Sequence, residues 1–151
     1  MSERYRLVIR RTGGLEVIER EPLGELKPGA GEILIRHEAI GVNFIDTYQR
    51  SGLYEVPLPS GLGSEGAGVI EAVGEGVDGF REGDRAGCFS GPLGAYATHR
   101  LVAADRAIKL PPSVASETAA AMMLKGCTAE YLIERCARVK SGDAVLVHAA
   151  A

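Results

Sequence analysis

The hydrophobic pattern of the first hundred residues is that of short β-strands separated by turns. Six apolar or alternating runs predict strands, at residues 5–10, 15–20, 32–40, 69–73, 85–89 and 95–102. Turn-forming residues are abundant, with 20 glycines and 7 prolines in the chain, and many of them fall between these runs. Many short strands with turn signals between them are typical of a β-barrel or β-sandwich.

The pattern changes to that of helices beyond residue 112. Ser116 is a suitable N-cap, and residues 118–125 are rich in alanine and methionine, which favour helix. Gly126 is expected to interrupt this helix, and a second helix is predicted over residues 128–138.

The continuous apolar run at residues 144–147 is typical of a parallel strand that is buried on both faces. We therefore expect the first strand of a further α/β domain, cut off after residue 151. Without sheet partners, such a strand leaves its backbone groups unpaired. The expectation is that this tail is disordered, pairs with another copy or aggregates.

Composition and charge exclude several function classes. The 151 residues carry a net charge of −3, and this acidic balance argues against a nucleic-acid surface. The sequence has no signal-peptide pattern and no apolar stretch near the ~20 residues that span a membrane. The three cysteines lack C-x-x-C spacing, which favours reduced thiols in the cytoplasm.

Two segments match the dinucleotide-binding pattern G-x-G-x-x-G, at residues 61–66 and 74–79. That pattern binds a pyrophosphate only where a strand runs into a glycine turn that opens a helix. Residues 61–66 lead instead into a strand, and residues 74–79 lie in a predicted hairpin. We therefore interpret both segments as turns.

Candidate chemistry is concentrated in two short stretches. Asn43, Asp46, Tyr48 and Tyr54 follow the longest predicted strand. The Asn and Asp side chains are also what a helix cap or an Asx turn requires, and tyrosines are common as half-buried edge residues. The second stretch is the predicted helix junction around Lys125 and Thr128, where Thr128 is expected to cap the second helix and Lys125 could offer positive charge to a phosphate. None of the three histidines has a partner at metal-ligand spacing.

Six motifs together resemble the zeta-crystallin-type quinone oxidoreductases of the medium-chain dehydrogenase/reductase superfamily. They are GVNFIDTY at residues 41–48, SGLY at 51–54, GLGSEGAG at 61–68, GPLGAY at 91–96, AAAMMLKGCT at 119–128 and GDAVLVHAAA at 142–151. The resemblance covers nearly the whole chain, and the motifs occur in the family's order.

The resemblance implies a mainly β fold with some α-helix: a GroES-like, partly open β-barrel followed by linking helices and a truncated Rossmann domain. Residues 1–125 would form the GroES-like domain, and residues 126–151 would begin the NADPH-binding domain. The family's pyrophosphate loop would lie beyond residue 151, so we expect the chain alone to be inactive. The parent protein is expected to be a homodimer.

The resemblance also implies that the enzyme is independent of zinc. In zinc-dependent relatives, the position of Asn43 holds a cysteine ligand and that of Ser64 a histidine ligand. Asparagine and serine are poor zinc ligands compared with thiolate and imidazole. The four-cysteine structural zinc lobe is absent as well, since that region holds only Cys88.

The activity implied is reduction of a quinone, or of another electrophilic small molecule, by hydride or electron transfer from NADPH. Asn43 would contact the nicotinamide ribose or a nearby water, and Tyr48 and Tyr54 would line the substrate pocket. Asp46 would orient its neighbours, and the cofactor would also meet Tyr48, Lys125 and Thr128. Two alternatives stay open: an NADPH-dependent alkene reductase of the same superfamily, and a non-catalytic GroES-like binding module.

Overall fold

A computed structural model describes residues 3–148 of the chain. Its strands are β1 (Tyr5–Ile9), β2 (Ile18–Pro22), β3 (Glu32–Gly41), β4 (Ser60–Gly61), β5 (Glu65–Val73), β6 (Arg85–Cys88), β7 (His99–Ala103) and β8 (Ile108–Lys109). Its helices are α1 (Phe44–Ser51), α2 (Ser116–Glu130) and a π-helical segment (Tyr131–Ala137), with short 3-10 turns at Leu15–Val17 and Ala104–Arg106.

The strands form two antiparallel sheets that do not close into a continuous barrel. The smaller sheet has the order β2-β1-β4, and the larger has the order β7-β3-β5-β6-β8. The longest pairing, between β3 and β5, carries two register irregularities, one of them between His37 and Ala39. The prediction of a mainly β fold with a partly open barrel is therefore confirmed.

Among the described residues, three apolar clusters hold these elements together. The largest is formed by side chains of the five-stranded sheet, among which Ile33, Ile35 and Ile70 are almost fully buried. A second cluster packs α2 against the same sheet through small side chains, notably Ala119 and Ala120. Because those side chains are small, the backbone of α2 lies close to β3 and β5.

The segment at residues 95–98 crosses between the two sheets, which corrects the prediction of a strand over 95–102. The backbone N–H of Leu7 in β1 donates to the Tyr96 carbonyl, while that of His37 in β3 donates to the Thr98 carbonyl. One stretch of backbone thus serves both sheets, so regular pairing begins only at His99.

The predicted strand at 15–20 was wrong in its first half. Leu15–Val17 form a 3-10 turn, and β2 runs from Ile18 to Pro22. The register pairs Ile9 with Ile18, so the preceding residues must make the turn between β1 and β2. Val17 is buried there against Ile9 and Leu62.

The predicted break at Gly126 was also wrong, because α2 passes through it without interruption. A mid-helix glycine disfavours helix by only about 1 kcal/mol relative to alanine, and the alanine- and methionine-rich residues before it favour helix. Thr128 consequently lies inside the helix rather than at a cap. The domain boundary at residues 125/126 stays a prediction.

Ser116 is the first residue of α2 and not its N-cap, which is Ala115. The Ser116 hydroxyl instead donates to a carboxylate oxygen of Glu38 at 2.7 Å and lies 3.3 Å from the Arg85 guanidinium. The side chain therefore joins the helix to the sheet rather than capping its own backbone.

The apolar run at residues 144–147 does not form the predicted strand. Val145, Leu146 and Val147 are all exposed. A buried parallel strand depends on neighbouring strands for its hydrogen bonds, and none pairs with this run in the described part of the chain.

We expect the backbone amides of residues 145–147 to exchange with solvent at close to the unprotected rate. The reason is that they lack the sheet hydrogen bonds that slow exchange in cores. Hydrogen exchange followed by mass spectrometry or NMR in dilute solution measures this, with Ile33 and Ile35 in β3 as the protected reference. Strong protection of residues 145–147 in a monomer would contradict the expectation, and protection that rises with concentration would indicate pairing between copies.

Candidate functional site

Asn43 and Asp46 define the N-terminus of α1. Asn43 is the N-cap, with extended backbone angles, and its N–H donates to the Asp46 carboxylate at 2.9 Å. This is the returning half of a capping box. The sequence interpretation of the pair as cap residues is therefore correct for their local role. Both side chains are buried, which places them behind the surface and not on it.

Glu65, at the start of β5, is the most deeply buried charged residue of the site, with 0% exposure. One carboxylate oxygen, Oε2, accepts a hydrogen bond from the Asn43 side-chain amide at 3.1 Å. The other, Oε1, accepts one from the backbone N–H of Leu124 at 2.7 Å. The carboxylate thereby connects the start of α1 with the middle of α2.

Tyr96 completes this network, although no local feature of the sequence marks it. Its hydroxyl donates to the Asp46 carboxylate at 2.8 Å. Burial, together with the adjacent Asp46 carboxylate, raises the pKa of Tyr96 above its ordinary value, so the phenol stays protonated at neutral pH. The GPLGAY motif contains this tyrosine, but its partner lies 50 residues away in sequence.

Gly63 explains why two of the glycine motifs belong together. It has a positive φ of 80°, and a Cβ atom placed on it would lie 2.2 Å from the Tyr96 ring. The GLGSEGAG motif therefore provides the space into which the tyrosine of GPLGAY packs.

Tyr48 and Tyr54 form a second group, at the surface around the end of α1. Their ring centroids are 5.6 Å apart and the rings are tilted by 57°. The exposed fractions are 38% for Tyr48 and 52% for Tyr54. The two tyrosines thus form an aromatic rim that is open to solvent, and Phe44, one helical turn before Tyr48 on the same face of α1, is exposed as well.

Lys125 and Thr128 lie on α2 at a spacing that places them on one face of the helix. The Lys125 ammonium is 3.8 Å from the Glu65 carboxylate and half exposed. The Thr128 hydroxyl donates to the Leu124 carbonyl at 2.7 Å and is exposed. Lys125 therefore lies close to the carboxylate that binds Asn43. Thr128 contacts Leu124, whose backbone N–H donates to the same carboxylate.

His37 lies in β3 with its ring packed between neighbouring segments of backbone. Its Nδ1 donates to the Ala97 carbonyl at 2.8 Å, and its Nε2 faces the backbone of Gly66. Burial lowers the pKa of His37 to about 4, against the opposing effect of its carbonyl hydrogen bond. The ring is therefore neutral at neutral pH.

Within residues 3–148, no group of three or more His, Cys, Asp or Glu side chains is arranged to hold a metal ion. In the same part of the chain, no helix is both long enough and apolar enough to cross a bilayer.

Residues 29–112 match the model of the alcohol dehydrogenase GroES-like domain. The chain is 50% identical over 140 residues to a quinone oxidoreductase of Pseudomonas aeruginosa, covering 92% of this chain and 43% of the relative. It is 43% identical over 151 residues to a 2-haloacrylate reductase of a Burkholderia species, covering 95% of this chain and 45% of the relative.

Solved structures agree with the sequence comparison. The Escherichia coli quinone oxidoreductase complexed with NADPH superposes with a TM-score of 0.84 at 44% identity, covering 87% of this chain and 40% of that chain. The chain therefore spans less than half the length of the curated relatives that it matches.

Proposed function

The chain belongs to the alcohol dehydrogenase GroES-like domain family, and from this we propose that it is the N-terminal part of a zinc-independent NADPH:quinone oxidoreductase. The observation that carries the proposal is the agreement of sequence and fold with quinone oxidoreductases, one of them solved with NADPH. In this proposal, residues 1–125 form the substrate-side domain and residues 126–151 begin the cofactor domain.

The aromatic rim suits a flat, electrophilic substrate. Tyr48 and Tyr54 are exposed, close to one another and tilted, so a planar ring can pack against their faces. Their hydroxyl groups can donate hydrogen bonds to a quinone oxygen as it gains negative charge. We assign both tyrosines to substrate binding.

The buried network suits the positioning of a nicotinamide cofactor. Asn43 is held by Glu65 and by its place at the start of α1, and Lys125 and Thr128 offer an ammonium and a hydroxyl on one face of α2. These groups are donors and acceptors of the kind that bind ribose hydroxyls and the nicotinamide amide. When bound, NADPH would supply the hydride that the quinone accepts. Asp46 holds Asn43 and Tyr96 in place.

The donor set favours chemistry without zinc. The Asn43 amide nitrogen already donates to Glu65, and the carbonyl of Ser64 accepts from the Arg100 guanidinium. Neither residue supplies the thiolate or imidazole that tetrahedral zinc sites use. In this proposal, hydrogen bonds and packing against the two tyrosine rings orient the substrate, and no zinc ion takes part.

The test is the oxidation of NADPH by the full-length protein that contains this chain, followed by absorbance with 1,4-benzoquinone as acceptor. We expect turnover that persists after dialysis against EDTA. An absence of NADPH-dependent quinone reduction would refute the function, and loss of activity on chelation would refute zinc independence.

Reduction of an electron-poor alkene is the second candidate, since a 2-haloacrylate reductase is among the relatives. Parallel assays with 1,4-benzoquinone and 2-chloroacrylate separate the two. A kcat/KM that favours the alkene would select this alternative.

We expect Tyr54→Ala in the full-length protein to raise the KM for quinone about fivefold, because one aromatic contact contributes about 1 kcal/mol. Tyr54→Phe should raise it less, since the ring remains. Steady-state kinetics at saturating NADPH measure both variants. Tyr131→Phe is the control, because that tyrosine is similarly exposed but lies on the π-helical segment. If Tyr54→Ala raises the KM for quinone no more than Tyr131→Phe does, Tyr54 is not part of the substrate site.

A further inference from the structure

We infer that Glu65 is a positioning residue, which sets the orientation of the Asn43 side-chain amide and joins that amide to α2. The inference rests on the proposed function, in which Asn43 meets the cofactor. It adds to that function by naming the group that controls Asn43.

Both oxygens of the Glu65 carboxylate are in use, each with a donor from a different element. Oε2 receives the Asn43 amide at 3.1 Å, and Oε1 receives the Leu124 backbone N–H at 2.7 Å. A carboxylate suits this position because both of its oxygens accept hydrogen bonds. A neutral glutamine offers only one accepting oxygen, so it would turn an N–H toward one of the two donors.

The space around this carboxylate is tightly limited. A Cβ atom placed on Gly41 would lie 2.5 Å from Oε2 of Glu65 and 2.2 Å from the Ala120 carbonyl. The glycine of the GVNFIDTY motif thus lets β3, Glu65 and α2 approach each other. In such a space the Glu65 side chain has little freedom to take another rotamer.

The charge of Glu65 has one nearby cation among the residues that the structure describes. The Lys125 ammonium lies 3.8 Å from Oε2, and a buried carboxylate that accepts charge-assisted hydrogen bonds binds its donors strongly. Lys125 therefore supports the same carboxylate that holds Asn43. This link relates two residues that were assigned separately to the cofactor.

The consequence concerns which edge of the Asn43 amide is available. Reversing the amide would place its oxygen against the carboxylate, so that two acceptors would face each other. Glu65 therefore directs the nitrogen edge of the amide inward and leaves the oxygen as the acceptor. A ligand group that meets this oxygen has to be a donor, such as a ribose hydroxyl, and not a quinone carbonyl.

The sequence allows a clean spectroscopic test of this orientation. Asn43 is the only asparagine and Gln49 the only glutamine in the chain, so the side-chain amide region of a ¹H–¹⁵N spectrum holds just these two groups. In the 151-residue wild-type chain, we expect slowed solvent exchange for one Asn43 amide proton, with Gln49 as the internal reference. Exchange at the unprotected rate would overturn the inference without any variant.

Two variants then distinguish an effect on the orientation of the Asn43 amide from an effect on the stability of the fold alone. Glu65→Gln should shift the Asn43 amide signals, abolish their protection and, in the full-length protein, weaken NADPH binding about tenfold, as expected for one misplaced hydrogen bond. The double variant Asn43→Asp/Glu65→Gln restores a hydrogen bond of reversed direction, in which the introduced glutamine amide donates to the introduced aspartate carboxylate. It should recover the melting temperature that Glu65→Gln lowers, and the Leu124 amide should stay protected in both variants, because the glutamine oxygen can still accept from it.

NADPH affinity is the deciding readout, since the double variant should regain stability but not cofactor binding. If Glu65→Gln changes neither the Asn43 signals nor the NADPH affinity, the inference is wrong. If NADPH affinity returns together with stability in the double variant, Glu65 acts only on the fold. Failure of the wild-type protein to bind NADPH would refute the proposed function instead, while the spectroscopic result would still test the orientation of Asn43.

Discussion

Replacing Gly63 by alanine is expected to lower the free energy of unfolding by about 3 kcal/mol. Two effects combine at this position. The φ of 80° is one that L-residues adopt at a cost of about 1 kcal/mol. The new methyl group would also lie 2.2 Å from the Tyr96 ring, and overpacking of that kind costs about 1–3 kcal/mol.

Gly76→Ala is the matched control, because its φ of 73° is nearly the same and no atom lies within 4 Å of the added Cβ. Urea unfolding of both variants should show Gly63→Ala to be less stable than Gly76→Ala by about 2 kcal/mol. The Asp46–Tyr96 hydrogen bond should weaken with it, because the ring has to move. Equal destabilisation of the two variants would mean that the tyrosine does not occupy the space beside Gly63.

Acid is expected to destabilise the fold through His37, in the window between pH 6.5 and pH 4. Burial lowers the folded-state pKa to about 4 from an ordinary value of 6.5. The unfolded chain therefore takes up the proton first as the pH falls. The contribution of His37 to stability is fully present above pH 6.5 and decreases by about 3 kcal/mol by pH 4.

The comparison is between wild type and His37→Asn, which cannot titrate in this range and keeps an N–H that can reach the Ala97 carbonyl. The variant will be less stable at neutral pH, so the measured quantity is the slope of unfolding free energy against pH. Wild type should lose about 3 kcal/mol more than the variant on going from pH 7 to pH 4. His99, whose pKa burial also lowers, is present in both proteins and cancels. If the unfolding free energies of wild type and His37→Asn have the same slope against pH, His37 is not the acid-sensitive group.

Local chemistry explains what the sequence predicted well. Asn43 and Asp46 are the residue types that cap helices, and the reciprocal backbone contact needs only residues i and i+3. Strands β1, β3 and β6 were also predicted from local signals, namely short apolar runs bounded by turn residues. The aromatic rim likewise consists of two residues, Tyr48 and Tyr54, that are close together in the sequence.

The features that the sequence did not predict depend on distant partners. Tyr96 meets Asp46, and Glu65 meets Leu124, across 50 and 59 residues respectively. No local pattern marks such a pair. The crossing of residues 95–98 between sheets also depends on where β1 and β3 lie. At residues 144–147, the apolar pattern is that of a buried strand, but strand formation depends on partners that the described chain does not provide.

The separation between the buried network and the aromatic rim has an evolutionary consequence. Asn43, Asp46 and Glu65 are enclosed, so substitutions there are expected to affect the fold and, in the proposed function, cofactor binding as well. Tyr48 and Tyr54 are exposed and their rings lie against each other, so their replacement is expected to cost little stability. Under the proposed function, descendants of one ancestral scaffold can therefore acquire new acceptor preferences by changing these two positions, while the enclosed residues are inherited unchanged.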